Sequence, residues 1–272
     1  DKDIEREIWD GFRYGPEAAR EVFGFDAAHS ISRLDELVGE FLADQPAVFH
    51  AFGHDISWDQ RVVGWISRVR EQVRKGVSAP AEIRDIRHLL DEMRLIKDEN
   101  ELAVMREAAG ISAEAHKRAM QATRPGRYEY EIEAELLYEF RRQGAEAPAY
   151  TSIVAGGANA CVLHYIQNDA QLQEGDLLLI DAACELHGYA ADITRTFPVN
   201  GRFSAVQKDV YQLVLSAQSA AIDAVRPGSN WDSPHQAALR VLAQGFIDLN
   251  LCQGSPDAVI ETESYKRFYM HR

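Results

Sequence analysis

Two carboxylates stand inside a run that otherwise reads as an apolar β-ribbon. The run is LLLIDAACELHGYAADITRTFPV, residues 177–199, and the carboxylates are Asp181 and Asp192. Residues 177–180 are apolar and follow the turn-forming EGD, TRTFPV is rich in β-formers, and ELHG lies between. A hairpin closed around Leu186 and His187 has its centre equally far from both aspartates. It would set them directly across the ladder, with Cβ atoms ~4.5–5.5 Å apart. A bulge beside Gly188 would shift that pairing by one residue. Like charges so close in apolar surroundings are costly unless neutralised. Neutralisation comes either from a shared proton or from a bound cation, and oxygen-only ligation suits Mg, Mn or Ca.

A lone pair of aspartates at this spacing more often means that one of them faces solvent. Two histidines add to the pair. VLHY places His164 on an expected strand just upstream, and FYMHR places His271 at the chain's end. Each histidine alone reads as structural, whereas two Asp and two His together make an inventory for metal and proton chemistry. Other neighbours carry less. Tyr189 reads as ribbon packing, and Cys184, by alternation from Asp181, as a structural core residue. Arg195 stays open between a surface ion pair and a contact to the aspartates or a substrate.

Helices must carry this ribbon. PEAAREVF, SISRLDELVGEFLADQ and ISWDQRVVGWISRVREQVRKG read as helices, the last with Val63, Ile66 and Val69 on one side and Trp58 and Trp65 as core or interface residues. PAVFHAF reads as a short buried strand, and VSAPAE as a linker. A helix opens near Asp98 and Glu101 with Leu102, Met105, Ala109 and Ile111 along a face, and YEYEIEAELLYEFRRQG is a second helix, stopped at Gly144. SAVQKDVYQLVLSAQSAAIDAV is a third, capped by Ser204 and Gln207. An Arg-Pro-Gly break recurs at residues 124–126 and 226–228, each time before a helix, which hints at an internal duplication.

Composition sets outer bounds. The 272 residues suffice for one large or two medium domains, and 46% hydrophobic with 26% charged residues is ordinary for a globular protein. A net charge of -14 argues against nucleic-acid and anionic-membrane partners. Three cysteines without a CxxC pair argue against a disulfide framework or structural zinc, and point to reduced thiols in the cytoplasm. No apolar run approaches the ~20 residues of a membrane helix.

At this point the motifs resemble a known family. IDAACELHGYAADITRTFPVNGRF resembles the first metal-binding ribbon of the pita-bread metallopeptidases, in particular the bacterial Xaa-Pro aminopeptidase (aminopeptidase P) family. HLLDEMRLIKDENELAVMREAAGISAEAH, RPGRYEYEIEAELLYEFRRQGAEAPAYTSIVAGGANACVLHY and YKRFYMHR are similar to the family's opening helix, its substrate-side strands and the start of its signature. The resemblance implies an α+β fold: a pita-bread catalytic domain with a curved antiparallel sheet and outer helices over 83–272, incomplete here. Part of an α/β N-terminal domain precedes it over 1–82. It implies that Asp181 and Asp192 are metal ligands. His164 is then a catalytic and substrate-contacting residue, and His271 lines the site without being a ligand.

The cofactors implied are two divalent metal ions, with manganese expected from the carboxylate-rich ligand set. The activity implied is release of the N-terminal residue from peptides with proline in second position, by water activated between the metals. Prolidase action on Xaa-Pro dipeptides and a non-catalytic pita-bread binding protein are the alternatives. Oligomers are common in the family, so a homo-oligomer is an expectation of the resemblance alone. The family's remaining ligands, one His and two Glu, would lie beyond Arg272. The stretch is therefore expected to be an internal portion of a longer polypeptide, inactive by itself.

Overall fold

The computed structural model describes residues 1–270. The chain divides into two compact units, Asp1–Asp98 and Glu99–Arg272. The first unit runs α1 (Ile4–Asp10), α2 (Gly15–Phe23), α3 (Leu34–Leu42), β1 (Ala47–His50), α4 (Ile56–Arg70), β2 (Glu82–Asp85) and α5 (Ile86–Leu95). β1 and β2 pair in parallel, Ala47 opposite Glu82. The α4 helix starts where the Asp55 carboxylate accepts from the backbone N–H groups of Ser57 and Trp58, an N-cap. It buries Val62, Trp65, Ile66 and Val69 with Leu42, while Val63 is exposed. Ile66 and Val69 thus face inward as expected, while Val62 and Trp65, rather than Val63, complete the stripe. Val77 and Ala79, read as linker, pack on this same core.

The second unit carries the ribbon. It runs α6 (Glu99–Ala122), α7 (Glu129–Arg142), β3 (Ala147–Pro148), β4 (Ile153–Gly156), β5 (Leu177–Leu186), β6 (Tyr189–Pro198), α8 (Ala205–Ala224), α9 (Ser233–Asp248) and α10 (Pro256–Glu261). β5 is central: β3 and β4 pair antiparallel along one side of it and β6 along the other. Antiparallel strands with α6 and α7 packed on one face make this unit α+β, as expected.

Alternation gives the sheet two faces. Leu178, Ile180, Ala182, Cys184 and Leu186 of β5 point into a core with Ala108, Ile111, Ala115 and Ala119 of α6 and Ile132, Leu136 and Phe140 of α7. Each fully buried Leu, Ile or Phe in such a core contributes about 1.5–3 kcal/mol. The α6 face differs from the one expected: Met105 and Ala109 are exposed, and the buried stripe is alanine-rich. Small side chains let the helix lie close to α7 and the sheet. Joined through the second Arg-Pro-Gly turn, α8 and α9 form another pair with its own core, including Leu239, Leu242, Ala243 and Phe246.

The hairpin closes one residue later than the symmetric reading. Leu186 pairs with Tyr189, so His187 and Gly188 form a two-residue turn. Both have positive φ, +49° and +80°, the combination of a type I′ turn. Asp181 consequently pairs with Thr194, and Asp192 with Ala183. The aspartates are diagonal neighbours on one face rather than direct partners, because the twist of the strands favours this tight turn over one centred on Leu186.

Gly188→Val puts a β-branched residue at the left-handed position. Urea denaturation of the described chain is expected to show a loss of about 1–3 kcal/mol. Unchanged stability would mean that the turn does not depend on glycine.

Candidate functional site

On the face away from α6 and α7, Asp181 lies beside Ala183 and diagonal to Asp192, while Ile153 of β4 flanks Asp181 on its other side. Asp181 is half-buried, Asp192 exposed and Ala183 fully buried. The residue that joins the pair is Tyr150, in the short segment between β3 and β4. Its hydroxyl makes a short hydrogen bond to Asp181 Oδ1 and lies 2.9 Å from Asp192 Oδ1. Burial, then the two carboxylates, push the Tyr150 hydroxyl far above the ordinary tyrosine range, so it remains a donor. Two unit charges at the ~7 Å of a diagonal pair repel by about 2 kcal/mol at an effective dielectric near 20. A hydrogen bond to a charged group contributes a comparable ~1.5–3 kcal/mol. One hydroxyl thus balances much of the repulsion, while most of the carboxylate lone pairs stay uncommitted.

Among the described residues neither aspartate forms a salt bridge, and no group of three or more His, Cys, Asp or Glu side chains is arranged to hold a metal ion. The donors present are carboxylate and phenol oxygens, which fit a hard divalent cation. Asp181 and Asp192 would hold such an ion as part of a larger ligand set.

The other candidates divide. His164 is exposed and sits in a turn, not on a strand. β4 ends at Gly156, and Gly157, at φ +54°, turns the chain into a short 3-10 segment, Gly157–Cys161, that leads to His164. His271 lies outside the described residues. Tyr189 points to the helix side, where its hydroxyl donates to Glu101 of α6, so it packs the ribbon as read. Cys184 is buried on that same side, its thiol donating to the carbonyl of Ala108 at 3.3 Å. Arg195 pairs with Ile180, so alternation sets it on the face opposite the aspartates, and its guanidinium donates to the Thr194 carbonyl.

Tyr150 escaped the sequence reading. It stands 31 residues before Asp181 and 42 before Asp192, and AYTS carries no motif that distinguishes it from a β-forming aromatic.

The chain is similar to known proteins along nearly its whole length. Residues 103–272 match the family described as metallopeptidase family M24, and residues 1–49 match the aminopeptidase P, N-terminal domain. The chain is 43% identical over 97% of its length to an Xaa-Pro aminopeptidase of Haemophilus influenzae, and 40% identical over 99% to one of Escherichia coli. It spans 59% and 61% of those two relatives' own lengths. The structure of Pseudomonas aeruginosa aminopeptidase PepP superposes with a TM-score of 0.96 at 49% identity, covering 100% of this chain and 62% of that one. Zn-substituted E. coli aminopeptidase P in complex with product superposes at 0.95, with 40% identity and 99% and 61% coverage.

Tyr150→Phe removes the shared donor and leaves the carboxylates facing each other. In metal-free protein at neutral pH, urea denaturation is expected to show a loss of about 1–3 kcal/mol. Adding Asp192→Asn to that variant is expected to restore part of the loss, because it removes the repulsion. A double variant less stable than Tyr150→Phe alone would contradict this account.

Proposed function

Because the chain belongs to metallopeptidase family M24, we propose that it is the larger part of an Xaa-Pro aminopeptidase, which releases the N-terminal residue from peptides with proline in second position. The observation that carries this reading is the Asp181–Tyr150–Asp192 arrangement, two carboxylates on one sheet face with most of their lone pairs free. It stands in a chain 40–43% identical to proteins named for that activity.

Asp181 and Asp192 would hold two divalent cations, manganese by the hardness of the oxygen donors. Bound there, the cations supply polarisation of a peptide carbonyl and acidification of water. The chain's own residues do the rest. The aspartates hold charge and position rather than moving protons. Tyr150 orients both Oδ1 atoms, as partners of metal-binding carboxylates do. His164, exposed on its turn, is free to donate to the carbonyl oxygen of the first residue as negative charge develops there. We assign the peptidase to the cytoplasm, the compartment in which thiols stay reduced.

The test is release of the first residue from an Xaa-Pro-Yaa peptide by the whole parent protein with manganese, against Xaa-Ala-Yaa. Proline-dependent release is expected. Asp192→Asn is expected to abolish release and divalent-ion binding together. Full activity after complete loss of the metal would refute the reading, and so would equal cleavage of both peptides.

A further inference from the structure

One buried acid takes no part in the site described above. Glu129, the first residue of α7, has no exposed surface, and among the described residues no salt bridge reaches it. Hydrogen bonds replace a cation. Its Oε1 accepts from the backbone N–H of Gly156 at 2.7 Å and from Asn159 Nδ2 at 3.1 Å. Its Oε2 accepts from the Tyr165 hydroxyl at 2.7 Å and from the backbone N–H of Ala170 at 3.0 Å. All four contacts are donors, a set that a carboxylate can accept and an amide cannot match. The helix N-terminus beneath it favours the negative charge. Burial and the neighbouring Glu129 push the Tyr165 hydroxyl up to about 12, so it stays a donor at physiological pH.

The four donors are spread along one stretch of chain. Gly156 is its start, Asn159 and Tyr165 its middle, and Ala170 its end, and His164 stands next to Tyr165 at the exposed apex. Close packing fixes the start as well: a Cβ on Gly156 would come within 2.8 Å of Leu172. Buried Asn168 adds a second tie, accepting from the Val154 N–H and donating to the Ser152 carbonyl. The apex itself, with Val162, Leu163 and Ile166 exposed, has little core to hold it.

We propose that Glu129 is a positioning residue whose carboxylate clasps residues 156–170 at both ends and in the middle, and thereby sets where His164 stands. The part played by His164 rests on the peptidase reading above; the clasp itself does not.

Two measurements on the whole parent protein test this. Hydrogen exchange of residues 156–170 is expected to rise about ten-fold or more in Glu129→Gln, with β5 and β6 unchanged, since a local clasp controls local opening. Tyr165→Phe, which removes one donor and keeps the carboxylate, is expected to give a smaller rise in the same segment. In a double-mutant cycle, Glu129→Gln is expected to lower kcat/KM for Xaa-Pro-Yaa about ten-fold when His164 is present, and less than two-fold in a His164→Ala background.

Unchanged exchange in both variants overturns the clasp. Equal losses of kcat/KM in the two backgrounds overturn its action through His164. A wild-type protein inactive on Xaa-Pro-Yaa refutes the peptidase reading instead, and the exchange result then decides the clasp by itself.

Discussion

The arrangement of the second unit rests on the register of one hairpin. Leu186 pairs with Tyr189 across a turn of two positive-φ residues, and every other pairing along the ten residues of β5 and of β6 follows from it. A slip of one residue would exchange the two faces. Ile180, Ala182 and Cys184 would leave the helix core, and Asp181 would enter it. Burying several large apolar side chains at about 1.5–3 kcal/mol each, together with excluding a carboxylate from the core, makes that slip prohibitive. The core on one face therefore holds the aspartates in place on the other.

Glu129 and the Asp181–Asp192 pair, all carboxylates of this unit, are satisfied in opposite ways. Glu129 meets four donors and has no spare acceptor capacity of consequence. It behaves as a fixed structural anion. Asp181 and Asp192 share a single hydroxyl and keep most of their lone pairs open toward one side of the sheet. An acid saturated by donors organises the chain, and a pair left short of donors attracts a cation. On the proposed reading, that difference separates the scaffold acid from the metal-binding pair.

The helices were legible because their apolar spacing is long and regular, and α4, α6, α7 and α8 stand where the pattern predicts. The inward face was read less well. Val63 points outward while its neighbour Val62 and Trp65 point inward, and α6 turns an alanine stripe inward that no hydrophobicity count favours. Both outcomes depend on what the facing element offers, a quantity absent from the helix's own residues. VLHY has the pattern of a strand, yet β4 ends at Gly156 and a 3-10 segment from Gly157 leads into the turn that bears exposed His164.

By itself the sequence determined the two aspartates, their place in a hairpin, the cysteine at the core and the resemblance to a metallopeptidase family, since all of these lie in local alternation and short motifs. Only the tertiary structure decided how the aspartates face each other, which group lies between them and what anchors the segment bearing His164. Tyr150 reaches Asp181 across 31 residues and Glu129 reaches Ala170 across 41. Contacts of that span form when strands pair and a helix packs on them, and no periodicity along the chain records them.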